Sequence, residues 1–341
     1  MAKPKYAVLL VNLGTPDSTA VRDVRRYLRE FLLDPRVIDI SALARWLLVN
    51  LIIAPFRAPR SAKVYRKLWQ ERGSPLLFYG IDVRDMLRKA LGDEYAVEFG
   101  MRYQNPGLKE AMESLLDHNP ERLIVLPLFP QYASATTGSV HQKVMELLAG
   151  CQVIPETIFI SRFAENDAFI KAFAALGRKY LEREPFDHVL FSYHGIPERQ
   201  IRKASHKGYC QLSDKCCSTY GSMNRYCYRA QCFQTSRRLA SELGLAVEQY
   251  TVVFQSRLGR DPWIQPYAEE VIRSLPALGK KRVLAFSPSF ISDCLETTVE
   301  VGEEFEEFFH EAGGEHWQLV ESLNDSPQWI DTLKEIVKRN I

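Results

Sequence analysis

Several familiar signatures are missing from this chain, and each absence removes a class of function. The 44 Lys and Arg against 42 Asp and Glu leave a formal charge of only +2, so no global field draws the molecule to a polyanion. The charges are mixed and no long basic arm occurs, which sets nucleic acid aside as a partner. There is no G-x-G-x-x-G and no P-loop. Asn12-Leu13-Gly14-Thr15-Pro16 follows the first apolar run but matches neither pattern, so a dinucleotide enzyme or an NTPase is not expected. Residues 43–56 are nearly all apolar, yet they are broken by Arg45 and Asn50 and fall short of the ~20 residues that a spanning helix needs. The first residues run straight into residues 6–11 with no long apolar h-region and no small-residue cleavage site. That predicts a cytoplasmic chain, where thiols stay reduced. Seven cysteines, an odd number, argue further against a disulfide framework.

What is present is alternation. At 341 residues the chain is long enough for two domains. Short, largely continuous apolar runs recur at 6–12, 95–101, 122–128, 153–160, 188–193, 249–254, 282–286 and 317–320. Runs of this kind are strands buried on both faces, as parallel sheets require. Amphipathic segments such as 108–116, 140–148, 168–181 and 265–275 lie between them. The pattern predicts an α/β fold of two similar Rossmann-like lobes, each a four-stranded parallel sheet flanked by helices. The first lobe takes residues 1–160 and the second 161–324, with the last helix, about 325–341, packing back on the first. Ligands in such folds bind beyond the carboxyl ends of the strands.

Three segments stand out against this background. Residues 43–56, followed by Arg57, Arg60, Lys63, Arg66 and Lys67, read either as a buried helix with a solvated basic stretch, or as an apolar lip that touches a membrane surface or a greasy ligand. His194 ends the fifth strand, just before Gly195-Ile196-Pro197. A lone histidine often only satisfies loop backbone, but a strand end is where function sits in this architecture. Glu296, Glu300 and Glu304 recur every fourth residue after the seventh strand. In an α-helix they drift by only about 40° per step, so they share one face, and a π-type widening would align them further. Read blandly they are a solvated acidic face, except that Glu296 opens the helix toward the same strand-end crevice as His194.

These segments resemble a known family. Leu190-Phe191-Ser192-Tyr193-His194-Gly195-Ile196-Pro197 is similar to the ferrochelatase signature around its essential histidine, and Ser292-Asp293-Cys294-Leu295-Glu296-Thr297 to the one carrying its essential glutamate. Further matches in the family's order are residues 10–16, 100–103, 128–138, 254–263 and 321–324. The resemblance implies insertion of Fe2+ into protoporphyrin IX to give protohaem, the last step of haem biosynthesis, with coproporphyrin or another tetrapyrrole as the alternative substrate. It implies His194 and Glu296 as catalytic residues that also meet the iron, Glu300 and Glu304 as a supporting acidic track, and porphyrin contacts from Leu13, Arg102, Tyr103, Tyr132 and Trp263. It gives residues 43–67 a meaning as a peripheral contact with the inner membrane, and leaves monomer and homodimer both open. The readings that compete are a chelatase for a sirohydrochlorin-type ring and a non-enzymatic haem or iron–sulfur binding protein.

The remaining feature is an insertion, residues 205–232, carrying Cys210, Cys216, Cys217, Cys227 and Cys232. Several thiols in one loop of a reduced protein point to an iron–sulfur or zinc site, or to unligated thiols. Some bacterial ferrochelatases hold a [2Fe-2S] cluster on internal cysteines. By that resemblance Cys210, Cys216, Cys217 and Cys227 are the ligands, with Cys232 as the alternative. The chain lacks the C-terminal extension that carries cluster ligands in the animal enzyme, and it has Cys294 where several relatives have histidine.

Overall fold

The structure, a computed structural model, describes residues 4–257, 259 and 261–341. The first three residues of the N-terminal lobe, and Leu258 and Arg260 of the 254–263 stretch, lie outside them. The chain separates into two compact units. One comprises Met1–Phe129, Ser134–Arg162 and Asn324–Ile341, the other Pro130–Ala133 and Phe163–Leu323.

Each unit is built on a parallel four-stranded sheet, as the continuous apolar runs require. In the first, β1 (Tyr6–Gly14), β2 (Tyr95–Tyr103), β3 (Arg122–Pro127) and β4 (Glu156–Phe159) lie in the order β2-β1-β3-β4. In the second, β5 (His188–His194), β6 (Tyr250–Gln255), β7 (Arg282–Phe286) and β8 (His316–Leu319) repeat that order as β6-β5-β7-β8. The first and fifth strands are therefore interior to their sheets, and they are enclosed. From Ala7 to Val11 nothing reaches solvent, and Val189 to Tyr193 are likewise enclosed. The α/β fold of two four-stranded parallel sheets is the one read from the sequence.

Helices cover the sheets through apolar stripes. Helix Leu108–Leu116 buries Leu108, Ala111, Met112 and Leu115, the i, i+3, i+4, i+7 spacing of a single face. These side chains meet Ala7, Leu9 and Val11 of β1 in one core cluster. Truncating a core leucine here, Leu115→Ala for instance, removes about 2–5 kcal/mol. Helix Asp167–Leu181 starts at Asn166, whose Oδ1 accepts from the Phe169 N–H at 3.0 Å, a cap that satisfies one of the orphan donors at a helix start. The last helix, Pro327–Lys338, belongs to the first unit and packs on helix Pro75–Leu91.

Residues 42–68 form one continuous helix, α-helical over Ala42–Leu47, π over Leu48–Ile53 and α-helical again over Ala54–Leu68. Ala54, Ala58, Ala62 and Tyr65 face inward, while Leu43 and Phe56 are 71% and 74% exposed. Trp46, Leu47, Leu51 and Ile52 are exposed beside them. The buried-helix reading of residues 43–56 thus fails, because the helix has protein on one side only. Among the described residues this helix is long and apolar enough to cross a membrane by length and composition, with 17% of its most apolar window buried.

Candidate active site

The second unit gathers the reactive side chains at the carboxyl ends of its strands. His194 is the last residue of β5 and is half-buried. Its Nδ1 lies 2.5 Å from the Gly195 carbonyl oxygen. A carbonyl only accepts, so Nδ1 carries the proton and Nε2 of the neutral ring keeps a free lone pair. Gly195 is required by crowding: a Cβ there would lie 2.8 Å from the Gln255 carbonyl oxygen and 3.1 Å from the Trp263 ring. The strand pairing between Pro197 and Trp263, with Gly195 N–H donating to Gln255 O at 2.8 Å, fixes the loop. Trp263 is thereby held beside the imidazole, ring centres 6.3 Å apart, its own N–H buried without a hydrogen-bond partner.

The glutamates come from the element that follows β7. Leu295–Glu304 is a π-helix throughout, the widened form that favours functional sites. It carries Glu296 and Glu300 half-buried and Glu304 exposed at its far end. Glu300 is the most committed of the three. Ser256 Oγ donates to its Oε2 at 2.5 Å and Gln255 Nε2 at 2.9 Å. Gln255, only 2% exposed, also donates to the Glu296 carbonyl at 2.9 Å and accepts from Ser192 Oγ at 2.6 Å. Burial lifts the Glu300 carboxyl above the ordinary carboxylate range, and the Ser256 hydrogen bond, His194 and Gln255 offset only part of that rise. Glu296 lies within Coulombic reach of Glu300 and takes a hydrogen bond from the Cys294 thiol. Cys294 itself is enclosed, and burial pushes its thiol up. His194 and Glu296 are therefore both within electrostatic reach of Glu300, and Trp263 stands beside the imidazole. Among the described residues no three His, Cys, Asp or Glu side chains are placed to hold one metal ion.

The ferrochelatase family model matches residues 5–341. The ferrochelatase of Legionella pneumophila strain Corby is 45% identical over 337 residues, covering 99% of this chain and 100% of that protein. That of Coxiella burnetii strain CbuK_Q154 is 44% identical over 341 residues, covering 99% and 94%. The chain belongs to the ferrochelatase family. Among solved structures, SirB from Bacillus subtilis with Fe3+ superposes with a TM-score of 0.53 at 12% identity, covering 98% of this chain and 95% of that one, a likeness of fold alone. As a ferrochelatase, a metal-chelating lyase, the chain inserts ferrous iron into a porphyrin.

The residues expected to line a porphyrin differ in their exposure. Leu13, half-buried, is the penultimate residue of β1, next to Gly14. Gly14 has φ 133°, and a Cβ there would sit 2.2 Å from the Tyr103 carbonyl oxygen. Tyr132 and Trp263 are half-buried. Arg102 pairs with Asp34 at 2.7 Å and donates to Ser139 Oγ at 2.7 Å. Tyr103 is fully enclosed, its hydroxyl donating to Asp34 Oδ2 at 2.9 Å. In that position its ring offers a ligand no face, and its part is to hold Asp34 against Arg102. Asp34 had no signal in the sequence beyond an acidic residue after an amphipathic helix.

Four thiols of the insertion touch in a ring. Cys227 contacts Cys210 and Cys217, and Cys216 contacts the same two, with Cys216 and Cys217 Sγ 3.9 Å apart. Cys227 has one proton to share between Cys210 and Cys217, and these contacts lower the pKa of both thiols while Cys227 itself is pushed up. Cys232 stands outside the ring, hydrogen-bonded with Tyr228 and raised by burial. A surface cavity of about 680 Å³ opens onto Cys210, Cys216 and Cys227 between His206 and Tyr226.

Proposed function

We propose that this chain converts protoporphyrin IX and Fe2+ to protohaem with release of two protons, as the last step of haem synthesis. The observation that carries the reading is the fixed tautomer of His194. With Nδ1 donating to Gly195, Nε2 has a lone pair ready for a pyrrole proton, and a neutral imidazole is well matched to that transfer. As two pyrrole N–H bonds break, the ring nitrogens turn to iron and the protons leave through carboxylates. Glu296 and Glu300 are the receiving groups, and Glu304, exposed, passes protons or iron to and from water. The raised affinity of buried Glu300 for a proton suits a relay. Leu13, Tyr132, Trp263 and Arg102 are the proposed porphyrin contacts, whose binding energy would hold the macrocycle in a distorted form.

An anaerobic assay of metallation with ferrous iron, run on protoporphyrin, coproporphyrin and sirohydrochlorin, tests the substrate. Highest kcat/KM on protoporphyrin, lost in His194→Ala, supports the reading. Higher kcat/KM on either of the other rings moves the assignment to that substrate, and metallation unchanged by His194→Ala would refute the catalytic role.

A [2Fe-2S] cluster on Cys210, Cys216, Cys217 and Cys227 fits the pairwise meeting of these thiols. A two-iron cluster divides its ligands two per iron, whereas a structural zinc requires four at one point. The cluster would supply a one-electron couple, which iron insertion does not use. Visible absorption of the purified protein, abolished by Cys210→Ser, would support it, and colourless protein with stoichiometric zinc would reject it. The exposed ridge of helix 42–68 supports peripheral contact with the inner membrane through residues 43–67. Pro59 and the exposed Arg57 and Arg60 suit a helix lying on the surface better than one crossing it.

A further inference from the structure

Pro130–Ala133 is a four-residue segment that belongs to the second unit although the chain on both sides of it belongs to the first. Such a segment has little local structure of its own, and its conformation must come from what holds it. What holds it is the helix that grows out of the cysteine-rich insertion. Tyr132 N–H donates to Gln231 Oε1 at 2.9 Å, and Gln131 Nε2 donates to Thr235 Oγ1 at 3.2 Å. Gln231 and Thr235 are both wholly buried and one turn apart on helix Tyr228–Leu243. Thr235 is anchored in turn to the Ala164 carbonyl at 2.9 Å. The side chain of Tyr132 meets Tyr226 edge to face, ring centres 5.4 Å apart and planes at 73°.

Both partners of Tyr132 are tied to one thiol. Tyr226 immediately precedes Cys227, which caps helix Tyr228–Leu243, and Gln231 N–H donates to the Cys227 carbonyl at 3.0 Å. Cys227 is the member of the thiol ring that contacts both Cys210 and Cys217.

From these contacts we propose that the cysteine-rich insertion is a positioning element for the porphyrin site, with Gln231 fixing the backbone of Tyr132 and Tyr226 fixing its ring. The idea rests on Tyr132 as a porphyrin contact. It requires no electron transfer: the insertion acts by geometry, and the order of its thiols reaches the substrate through a hydrogen bond and an aromatic edge. An N–H that loses its acceptor is left unsatisfied, and the backbone at Tyr132 then shifts more readily although Gln131 stays tied to Thr235. Binding of the macrocycle should feel this, while binding of iron should not.

The test uses full-length protein with its native complement of metal, and reads porphyrin binding by fluorescence quenching alongside steady-state kinetics. Gln231→Leu and Tyr226→Leu are expected to weaken porphyrin binding and raise its KM about three- to tenfold, with KM for ferrous iron unchanged. Gln231→Glu, which keeps an acceptor oxygen, and Tyr226→Phe, which keeps the ring, should restore wild-type binding. Tyr226 is 47% exposed, so its variants retain the fold if Gln231→Leu does not. Tyr132→Leu separates the two ideas. If it leaves porphyrin binding intact, Tyr132 is not a contact. If it weakens binding while Tyr226→Leu and a folded Gln231→Leu do not, the insertion does not position it and the proposal is overturned.

Discussion

Ser256 holds Glu300 from a backbone conformation that serine rarely adopts: its φ is 64°, and its hydroxyl donates to Glu300 Oε2 at 2.5 Å. Left-handed backbone at a non-glycine residue persists where surrounding contacts over-determine it, and such sites cluster where function needs a fixed group. Ser256 and Gln255 together orient a carboxylate that burial would otherwise leave poorly solvated.

Ser256→Ala keeps the strain and removes the donor. Hydrogen bonds to charged groups contribute about 1.5–3 kcal/mol, so kcat should fall about tenfold or more. The porphyrin KM should stay within twofold, since Ser256 touches the carboxylate and not the macrocycle. Steady-state metallation kinetics check this, and a change confined to KM would contradict it.

The Asp34 side chain predicts a stability effect in the first unit. Burial raises its pKa, but hydrogen bonds from Ser139, the Arg36 N–H and Tyr103, with the charge of Arg102, outweigh that and hold it below the ordinary 3.8. A depressed carboxyl stabilises the fold fully above its unfolded value and loses that contribution as pH falls through the folded one. Asp34→Asn should therefore lower stability by about 3 kcal/mol at pH 7, since it strands Arg102 without its charge partner. The deficit should shrink at the acid end. Urea unfolding at pH 7 and near pH 3 measures it.

His188 gives a second acid-sensitive step at a different pH. Buried and hydrogen-bonded to Thr251 Oγ1 at 2.9 Å, its imidazole is pushed down to about 4 by burial and then by the charge of Lys280. The unfolded chain takes up a proton near pH 6.5, the folded one does not. Stability from this residue is present above pH 6.5 and is lost as pH drops from there to about 4. The full loss is on the order of 3 kcal/mol. His188→Gln should remove that step from the profile of unfolding free energy against pH, and an unchanged profile would refute the assignment.

The exposed ridge predicts a change in partitioning with no change in fold. Phe56→Ser and Trp46→Ser each delete a large exposed apolar side chain. Each should weaken sedimentation with phosphatidylglycerol vesicles about three- to tenfold and leave the thermal midpoint within about a degree, since no core packing is lost. Unaltered sedimentation would remove this helix as the membrane contact.

Much of the fold was legible because parallel strands buried on both faces leave an unbroken apolar trace. Arg282–Phe286 was read at its observed bounds, and Leu108–Leu116 likewise, since its stripe is complete. The edge strand Glu156–Phe159 is shorter than the run 153–160 implied, as Val153 and Ile154 are exposed and only four residues pair. Strand ends could be found from the same traces, which marks the position of His194, but it is the resemblance to the ferrochelatase motifs that singles out His194 and Glu296 together. Gln255 and Ser256 could not. Their importance lies in a polar bond to a residue some 44 positions away, and pattern within a window carries nothing about such a pair. Tyr103 shows the opposite failure: beside Arg102 in a pocket-like motif it reads as a contact, yet its hydroxyl is spent on Asp34 in the interior.

The repeated winding, β2-β1-β3-β4 and then β6-β5-β7-β8, has an implication for how such a chain can diverge. In each copy a tightly packed glycine closes a central strand, Gly14 as the last residue of β1 and Gly195 one residue past β5, so Leu13 and His194, each preceding that glycine, are counterparts by position. A doubled scaffold needs its reactive imidazole only once. The other copy is released from chemistry and can drift toward grip and shape, so relatives with altered tetrapyrrole preference should differ first around the leucine, while the histidine end stays as it is.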